Sequence, residues 1–211
     1  MRAGDDQALY RHQEPSEAFS EFLGVLGTRV ELRGFEGFRG GLDTEQDRTG
    51  THSVAARVPS WTREYEVMFH VSTLLPHSDS DEQQLAKKRH IGNDLVVVVF
   101  HEDTDPFDPR VFVSQFNHIF LVVRKVAQQP PHLGGLPIYQ LAVACKGATP
   151  AAQPLLSQAT YVGDAQFAAF LRAKALNYEA AALLYSPSFT IRNARARALL
   201  LKDLVSKYYR D

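Results

Sequence analysis

The sequence predicts an α/β fold in which a central mixed β-sheet is flanked by helices and followed by a helical C-terminus. The chain has 211 residues, of which 45% are hydrophobic, and this is enough for one sizeable core but too little for two. Strand-type and helix-type segments alternate along most of the chain, and two long helical segments end it. We expect one domain over residues 16–211, preceded by a flexible lead-in over residues 1–15, which are polar and show no period.

The composition excludes several classes of protein. The 23 Lys and Arg residues nearly balance the 24 Asp and Glu residues, so no overall charge attracts nucleic acid. The single cysteine, Cys145, excludes a disulfide within the chain, and its strand-like surroundings favour a packing role. No stretch reaches the roughly 18 apolar residues of a membrane span. We therefore expect a cytoplasmic protein that neither binds nucleic acid nor inserts into a membrane.

The first helix and the loop after it are predicted from local signals. Ser16 is a suitable N-cap, Phe22 belongs to an apolar face, and Gly27 ends the helix. Residues 28–35 alternate as in a half-buried strand. The glycine-rich residues 34–50 predict a long loop, and a phosphate-binding loop is disfavoured because neither GxxxxGK[ST] nor GxGxxG occurs there.

The middle of the chain contains further strands and one helix. A capping box formed by Ser80 and Gln83 predicts a helix that carries basic residues at its far end. The unbroken run "LVVVVF" after it predicts a central strand that is covered on both faces. The strand segments are residues 64–73, 95–100, 118–126 and 138–145.

The C-terminal segments, residues 164–185 and 188–209, predict two helices that are broken at Pro187. In the second helix, we expect three arginines to face water and three leucines to face the core, and we favour this solvated face over a partner-binding patch. These residues are Arg192, Arg195 and Arg197, and Leu199, Leu200 and Leu204.

Polar residues are concentrated in "KRHIGND", immediately before the valine run. One interpretation is structural: Gly92 and Asn93 tolerate the left-handed backbone of a helix C-cap. The other is functional, because a helix that continues through Gly92 places Asn93 on the same face as Arg89 and His90. A carboxamide can both donate and accept hydrogen bonds, so it can orient water or contact a phosphoryl oxygen, although it is no general base.

Two other kinds of site have weaker support. His70, His77 and His90 lack any H-x-x-x-H or HExxH spacing, so a metal site is disfavoured, and a histidine on a strand, such as His70, is more often a packed residue. A Ser-His-Asp hydrolase site stays open, but the GxSxG motif is absent.

The sequence resembles the catalytic domain of Rap GTPase-activating proteins (GAPs), a family that includes the SPA-1-like GAPs and, more distantly, the tuberin GAP domain. The resemblance rests on "GFEGFRGGLD", "RTGTHSV", "EVMFHVSTLLP", "QQLAKKRHIGND", "FNHIFLVVRKV" and "FLRAKALNYE". The pairing of "MFHVST" with "KRHIGND" is the most specific part, because helix and strand chemistry alone explain neither string.

The resemblance implies a fold similar to a small G domain and an activity that accelerates GTP hydrolysis by a Rap-type GTPase. Asn93 matches the family's catalytic asparagine, the Asn thumb, which positions the attacking water, and His90 is the strongest supporting residue. Rap proteins lack the glutamine that does this work in Ras, so the thumb would supply the missing carboxamide. The candidate GTPase-binding residues are Lys87, Lys88, Arg89 and Asp94, to which we add Arg195 and Arg197.

The implied partner would bring GTP and Mg²⁺, so we expect the chain to have no cofactor or metal of its own. The chain would then supply a catalytic residue in trans rather than act as a self-contained enzyme, and we expect a monomer. Two alternatives stay open: a non-catalytic module that binds a GTPase as a scaffold, and an Asn-thumb GAP for a Rheb-like or Ral-like GTPase.

Overall fold

The computed structural model describes residues 7–60, 62–103, 105–126 and 135–209, and it confirms the mixed α/β class and the helical C-terminus. The helices are α1 (Gln7–Tyr10), α2 (Glu17–Leu26), α3 (Leu85–Ile91), α4 (Ala165–Tyr185) and α5 (Pro187–Tyr208), with a 3₁₀ turn at Pro109–Val111. The strands are β1 (Thr28–Glu31), β2 (His52–Pro59), β3 (Glu64–Phe69), β4 (Val96–Phe100), β5 (Ile119–Lys125), β6 (Ile138–Cys145) and β7 (Thr160–Val162).

The strands form two sheets, whereas the sequence predicted a single central sheet. One sheet is antiparallel with the order β1-β2-β3. The other has the order β4-β5-β6-β7, in which β4 is parallel to β5 and the remaining pairs are antiparallel. The sequence analysis did not identify β2 and β7, because β2 carries a weak Ala-Ala-Arg centre and β7 has only three residues.

The main core lies between the four-stranded sheet and helices α2 and α4. Its buried residues come from all three elements: Phe22, Leu26, Ile119, Leu121, Val123, Tyr139, Leu141, Phe167, Leu171 and Tyr178. The central, most buried strand is β5, so the prediction for the valine run is wrong. Strand β4 lies at the edge of its sheet and is only partly buried along its whole length. A run of valines suits both positions, and the neighbouring strands decide between them.

The predicted ends of α2 are confirmed, but Gly27 has a different physical role from the expected one. The Ser16 hydroxyl accepts a hydrogen bond from the Phe19 amide at 3.0 Å. Gly27 has an extended backbone with φ −177°, so it makes no left-handed turn. A Cβ at this position would lie 2.5 Å from the Ala55 carbonyl oxygen, and glycine therefore permits the close approach of β2.

Part of the N-terminal segment packs against the rest of the chain. Residues 7–10 form α1, and Tyr10 is buried in a second core cluster with Leu32, Leu42, Met68, Leu75 and Ile91. Residues 1–6 of the predicted lead-in lie outside the described residues. Because Ile91 ends α3, this cluster connects the N-terminal segment to that helix.

Helix α5 contacts the domain through its first turns and then extends outward. Phe189 is buried, with its ring 4.9 Å from that of His118, and the Asn193 amide donates to the Leu183 carbonyl at 3.1 Å. The prediction that three leucines of this helix face the core is wrong: Leu199, Leu200 and Leu204 are 67%, 61% and 45% exposed. Among the described residues, none of the helices is long and apolar enough to span a membrane.

Candidate functional site

Helix α3 carries the polar motif, and its N-terminus is capped by Asp81 rather than by the predicted Ser80–Gln83 box. The Asp81 carboxylate accepts hydrogen bonds from the amides of Gln83 at 3.0 Å and Leu85 at 2.7 Å. Gln84 adopts a left-handed backbone with φ +50°, and its side chain donates to the carbonyls of Ser78 and Asp81. The N-cap of α3 is Gln84 instead of Ser80, so the helix begins four residues later than the capping box indicated.

Asn93 follows Gly92, the C-cap of α3, and its side chain lies beside the backbone of Arg89, close to the arrangement that the functional interpretation required. Gly92 has φ −67°, and Asn93 is not among the residues with positive φ, so neither adopts the left-handed cap conformation. The Asn93 amide nitrogen Nδ2 donates to the Arg89 carbonyl at 2.7 Å, and its backbone amide donates to the His90 carbonyl at 3.0 Å. The side chain of Asn93 is exposed, so a carboxamide is presented to solvent from a fixed backbone.

The segment that follows α3 is tied to the loop before β5. Asn117 is fully buried, and its Nδ2 donates to the carbonyls of Ile91 at 2.8 Å and Asp94 at 2.7 Å. The Ser114 hydroxyl donates to the Gly92 carbonyl. These bonds satisfy carbonyls on both sides of Asn93, and they fix the backbone from which its side chain projects.

A pair of histidines lies beside the same segment. His70, which follows β3, has a side chain that is only 10% exposed, and its Nδ1 lies 2.8 Å and 3.0 Å from the two carboxylate oxygens of Asp94. Its Nε2 lies 2.9 Å from the Gly40 carbonyl oxygen in the glycine-rich loop. The ring of His90 lies 5.1 Å from the ring of His70. Asp94 and His90 thus belong to one polar network.

The two histidines are shifted in opposite directions. Burial by itself lowers the pKa of His70, but the hydrogen bond and negative charge of Asp94, with the Gly40 carbonyl, raise it above the ordinary 6.5. Burial lowers the pKa of His90, and the positive charges of His70 and Arg89 lower it further, while Asp94 opposes them. The network therefore favours protonation of His70 over protonation of His90.

The basic residues of α3 have three different environments. Lys87 is fully buried, its ammonium nitrogen Nζ donates to the His12 carbonyl at 2.7 Å, and burial lowers its pKa. Lys88 is half-buried, with Nζ 5.6 Å from the centre of the Tyr10 ring, and Arg89 is exposed. Lys87 is therefore an internal residue of the domain, and its predicted contact with a GTPase stays a prediction.

The remaining predicted site residues, Arg195 and Arg197, are exposed on α5. This helix starts near the site, because Arg192 lies 5.4 Å above the ring of Phe116, in the same loop as Ser114 and Asn117. Among the described residues, no hydrogen bond or ion pair joins Arg195 or Arg197 to Asn93. Their predicted role in binding a GTPase therefore stays a prediction.

The sequence analysis missed the residues that support the motif. For Asn117 and Ser114, the sequence contained one indication of a supporting role. An asparagine immediately before a buried strand needs hydrogen-bond partners. His70 was treated as an ordinary packed histidine, and its strand context gave no reason to pair it with Asp94. Gly40, with φ +59°, was one of several glycines in the loop, and a Cβ there would lie 3.2 Å from the Cβ of Met68.

The chain is similar to several known proteins. The sequence profile of the Rap/ran-GAP family matches residues 9–198. Signal-induced proliferation-associated protein 1 is 43% identical over 206 residues in both mouse and human, covering 96% of this chain and 19% of the relative. A GTPase-activating protein of Dictyostelium discoideum is 38% identical over 207 residues, covering 95% of this chain and 19% of the relative. The chain thus spans about a fifth of the length of these relatives.

A solved structure of the TSC2 GAP domain superposes on the chain with a TM-score of 0.72 and 26% sequence identity. The superposition covers 87% of this chain and 92% of that domain. The predicted resemblance, including its more distant branch, is confirmed by these matches. The chain belongs to the Rap/ran-GAP family.

Proposed function

We propose that this chain is a GTPase-activating domain that inserts Asn93 into the active site of a Rap-type small GTPase. One observation carries the proposal: an exposed carboxamide projects from the segment directly after a short helix, and hydrogen bonds from the buried Asn117 hold the backbone on both sides of it. Family membership supports the same activity, and the names of two relatives above describe proliferation-associated and GTPase-activating proteins.

In the proposed mechanism, the GTPase supplies GTP and Mg²⁺, and this chain supplies no cofactor. The Asn93 carboxamide accepts a hydrogen bond from the attacking water and donates one to a phosphoryl oxygen or to the GTPase, which aligns the water for in-line attack. Preorganisation is important, because a carboxamide that is already held in position loses little entropy when the complex forms. The hydrogen bond from Asn93 to the Arg89 carbonyl limits the rotation of its side chain before docking.

The basic residues have a separate role in this mechanism. Lys88 and Arg89 lie in the last turn of α3, just before Asn93, where their charges can interact with acidic groups of a GTPase or with phosphate oxygens. His90 and Asp94 act from within the network and hold the helix end. One chain carries all these residues, so one copy per GTPase is sufficient.

The proposal is tested by single-turnover GTP hydrolysis with a panel of Rap, Rheb, Ral and Ras proteins. We expect the wild-type domain to stimulate a Rap protein most. Asn93→Ala should lower the stimulation by about 10³-fold or more, comparable to the loss of an arginine finger. Asn177→Ala is a matched control, because Asn177 is also exposed on a helix and also donates to a carbonyl, that of Gln153, at 2.8 Å.

Each outcome separates the candidate functions. Greatest stimulation of a Rheb or Ral protein would keep the mechanism and change the partner. Stimulation that survives in a folded Asn93→Ala protein would refute the thumb mechanism. The scaffold alternative predicts equal affinity for the GTP-bound state and for GDP with aluminium fluoride, whereas a catalytic domain binds the transition-state mimic more tightly.

A further inference from the structure

We infer that His70 is a positioning residue which, as an imidazolium, clamps the residue after Asn93 to the glycine-rich loop and makes the stimulation of GTP hydrolysis pH-dependent. This inference rests on the function proposed above. It concerns a histidine distant in sequence from Asn93, and it adds a protonation state to the requirements for an active geometry.

Each ring nitrogen of His70 faces a hydrogen-bond acceptor. Its Nδ1 faces the Asp94 carboxylate at 2.8 Å, and its Nε2 faces the Gly40 carbonyl oxygen at 2.9 Å. An ionised carboxylate and a backbone carbonyl only accept hydrogen bonds, and a neutral imidazole has only one N–H group to donate. Both contacts are therefore satisfied together only when both ring nitrogens carry protons.

The contacts of His70 join segments that belong to different sheets. Gly40 belongs to the loop beside the three-stranded sheet, His70 continues the edge strand β3 of that sheet, and Asp94 lies between α3 and the edge strand β4 of the other sheet. Asn117 holds the same segment from the side of β5, through the Asp94 carbonyl at 2.7 Å. The backbone at Asn93 is thus anchored to both sheets, and only the anchor at His70 can titrate near neutral pH.

Several charged or titratable groups surround His70. His90 and Asp94 contact or adjoin His70 directly, Arg89 acts on His90, and Glu179 of α4 interacts with Asp94. The glycine-rich loop contributes the Gly40 carbonyl. Asp94 is the charge that stabilises the imidazolium most directly, and the lowered pKa of His90 keeps a second positive charge away from it.

The direction of the pH effect follows from the raised pKa. The clamp contributes its full stabilisation below the ordinary histidine value of 6.5, and this contribution is lost as the pH rises through the higher pKa of the folded protein. Above that pKa, the neutral ring has one N–H group left, so either Asp94 or Gly40 loses its hydrogen bond and His70 no longer joins the segment of Asn93 to the glycine-rich loop.

Two measurements test the inference independently. The first is ¹⁵N NMR of the histidine rings in the isolated domain, with His70 assigned by comparison with His70→Gln. At pH 6.5, we expect both nitrogens of His70 to carry protons in most molecules, while His90 is mostly neutral. A neutral His70 ring at that pH would overturn the inference. This measurement needs no GTPase, so it stands even if the proposed function fails.

The second measurement is the pH profile of stimulated hydrolysis, with the GTPase alone measured at each pH. We expect wild-type stimulation to fall by about 10- to 100-fold as the pH rises through the pKa of His70, since small misplacements of catalytic groups cost rates of this order. His70→Gln should be slow at low pH and lack this fall. Asp94→Asn should move the fall to lower pH, because it removes the negative charge that raises the pKa of His70.

A purely structural role for His70 gives different results. In that case His70→Gln would lower stability and stimulation by the same factor at every pH, and Asp94→Asn would leave the position of the fall unchanged. Either result would overturn the inference. Thermal unfolding of each variant across the same pH range separates loss of fold from loss of positioning, and Asp94→Asn keeps the test usable if His70→Gln does not fold.

Discussion

Helices α3 and α5 both carry clusters of basic residues, but the domain holds the two helices in opposite ways. The seven residues of α3 include two buried side chains, Lys87 and Ile91, and buried hydrogen bonds hold the backbone that follows. The 22 residues of α5 are mostly exposed after the first turn, including several leucines. The comparison shows that a basic cluster in a sequence does not reveal whether its charges are internal supports or a free surface.

The largest loss of stability is expected for substitution of Asn117. Asn117→Ala leaves the buried carbonyls of Ile91 and Asp94 without their donor, and we expect a loss of about 2–4 kcal/mol in the free energy of unfolding. The matched control is Asn193→Ala on α5, where an exposed amide donates to a single carbonyl and the expected cost is below about 0.5 kcal/mol. Urea unfolding of both variants measures the difference. Equal losses would show that the hydrogen bonds of Asn117 stabilise the fold no more than the exposed hydrogen bond of Asn193.

An intermediate loss of stability is expected for substitution of Lys87. Lys87→Ala removes a fully buried side chain, and we expect a loss of about 2–3 kcal/mol, whereas Lys87→Met keeps most of the volume and should cost less than about 1.5 kcal/mol. Lys202→Ala on the exposed part of α5 is the control, with an expected change within about 0.5 kcal/mol.

The activity of Lys87→Met decides what Lys87 does. If its role is internal, the folded variant keeps nearly full stimulation of the GTPase. A folded Lys87→Met protein with normal stability and strongly weakened GTPase binding would restore Lys87 to the contact surface.

The smallest effect is expected for the exposed arginines of α5. Arg195→Ala and Arg197→Ala should leave the free energy of unfolding within about 0.5 kcal/mol of wild type. If they steer a GTPase, each should weaken association by less than about tenfold, with an effect that shrinks as salt is added, and the maximal rate should not change. Titration of stimulation at two ionic strengths measures this. A fall in the maximal rate would mean that α5 reaches the catalytic centre.

Much of the site could be predicted from sequence because it depends on local geometry. The i, i+4 relation between Arg89 and Asn93 needs only helical spacing, and the structure has it as a hydrogen bond of 2.7 Å. The N-cap at Ser16 and the whole of β6 were likewise predictable, since their signals lie within a few residues. The catalytic roles of Asn93 and His90 remain predictions.

The parts that sequence could not supply depend on contacts between distant segments. His70 meets Gly40 across 30 residues and Asp94 across 24, and Lys87 meets His12 across 75. The same limit explains the errors at β4 and α5. An apolar run shows that a segment can be buried, but its position within the sheet and its cover come from residues far away in the chain.

The shortness of α3 has a consequence for how the motif can be used. A helix of seven residues is too short to persist by itself in water, because nucleation costs more than so few hydrogen bonds return. A synthetic peptide of residues 85–94 would hold the same side chains without their arrangement. The catalytic arrangement therefore depends on the surrounding folded residues, and grafting the motif sequence onto an unrelated loop would not reproduce it.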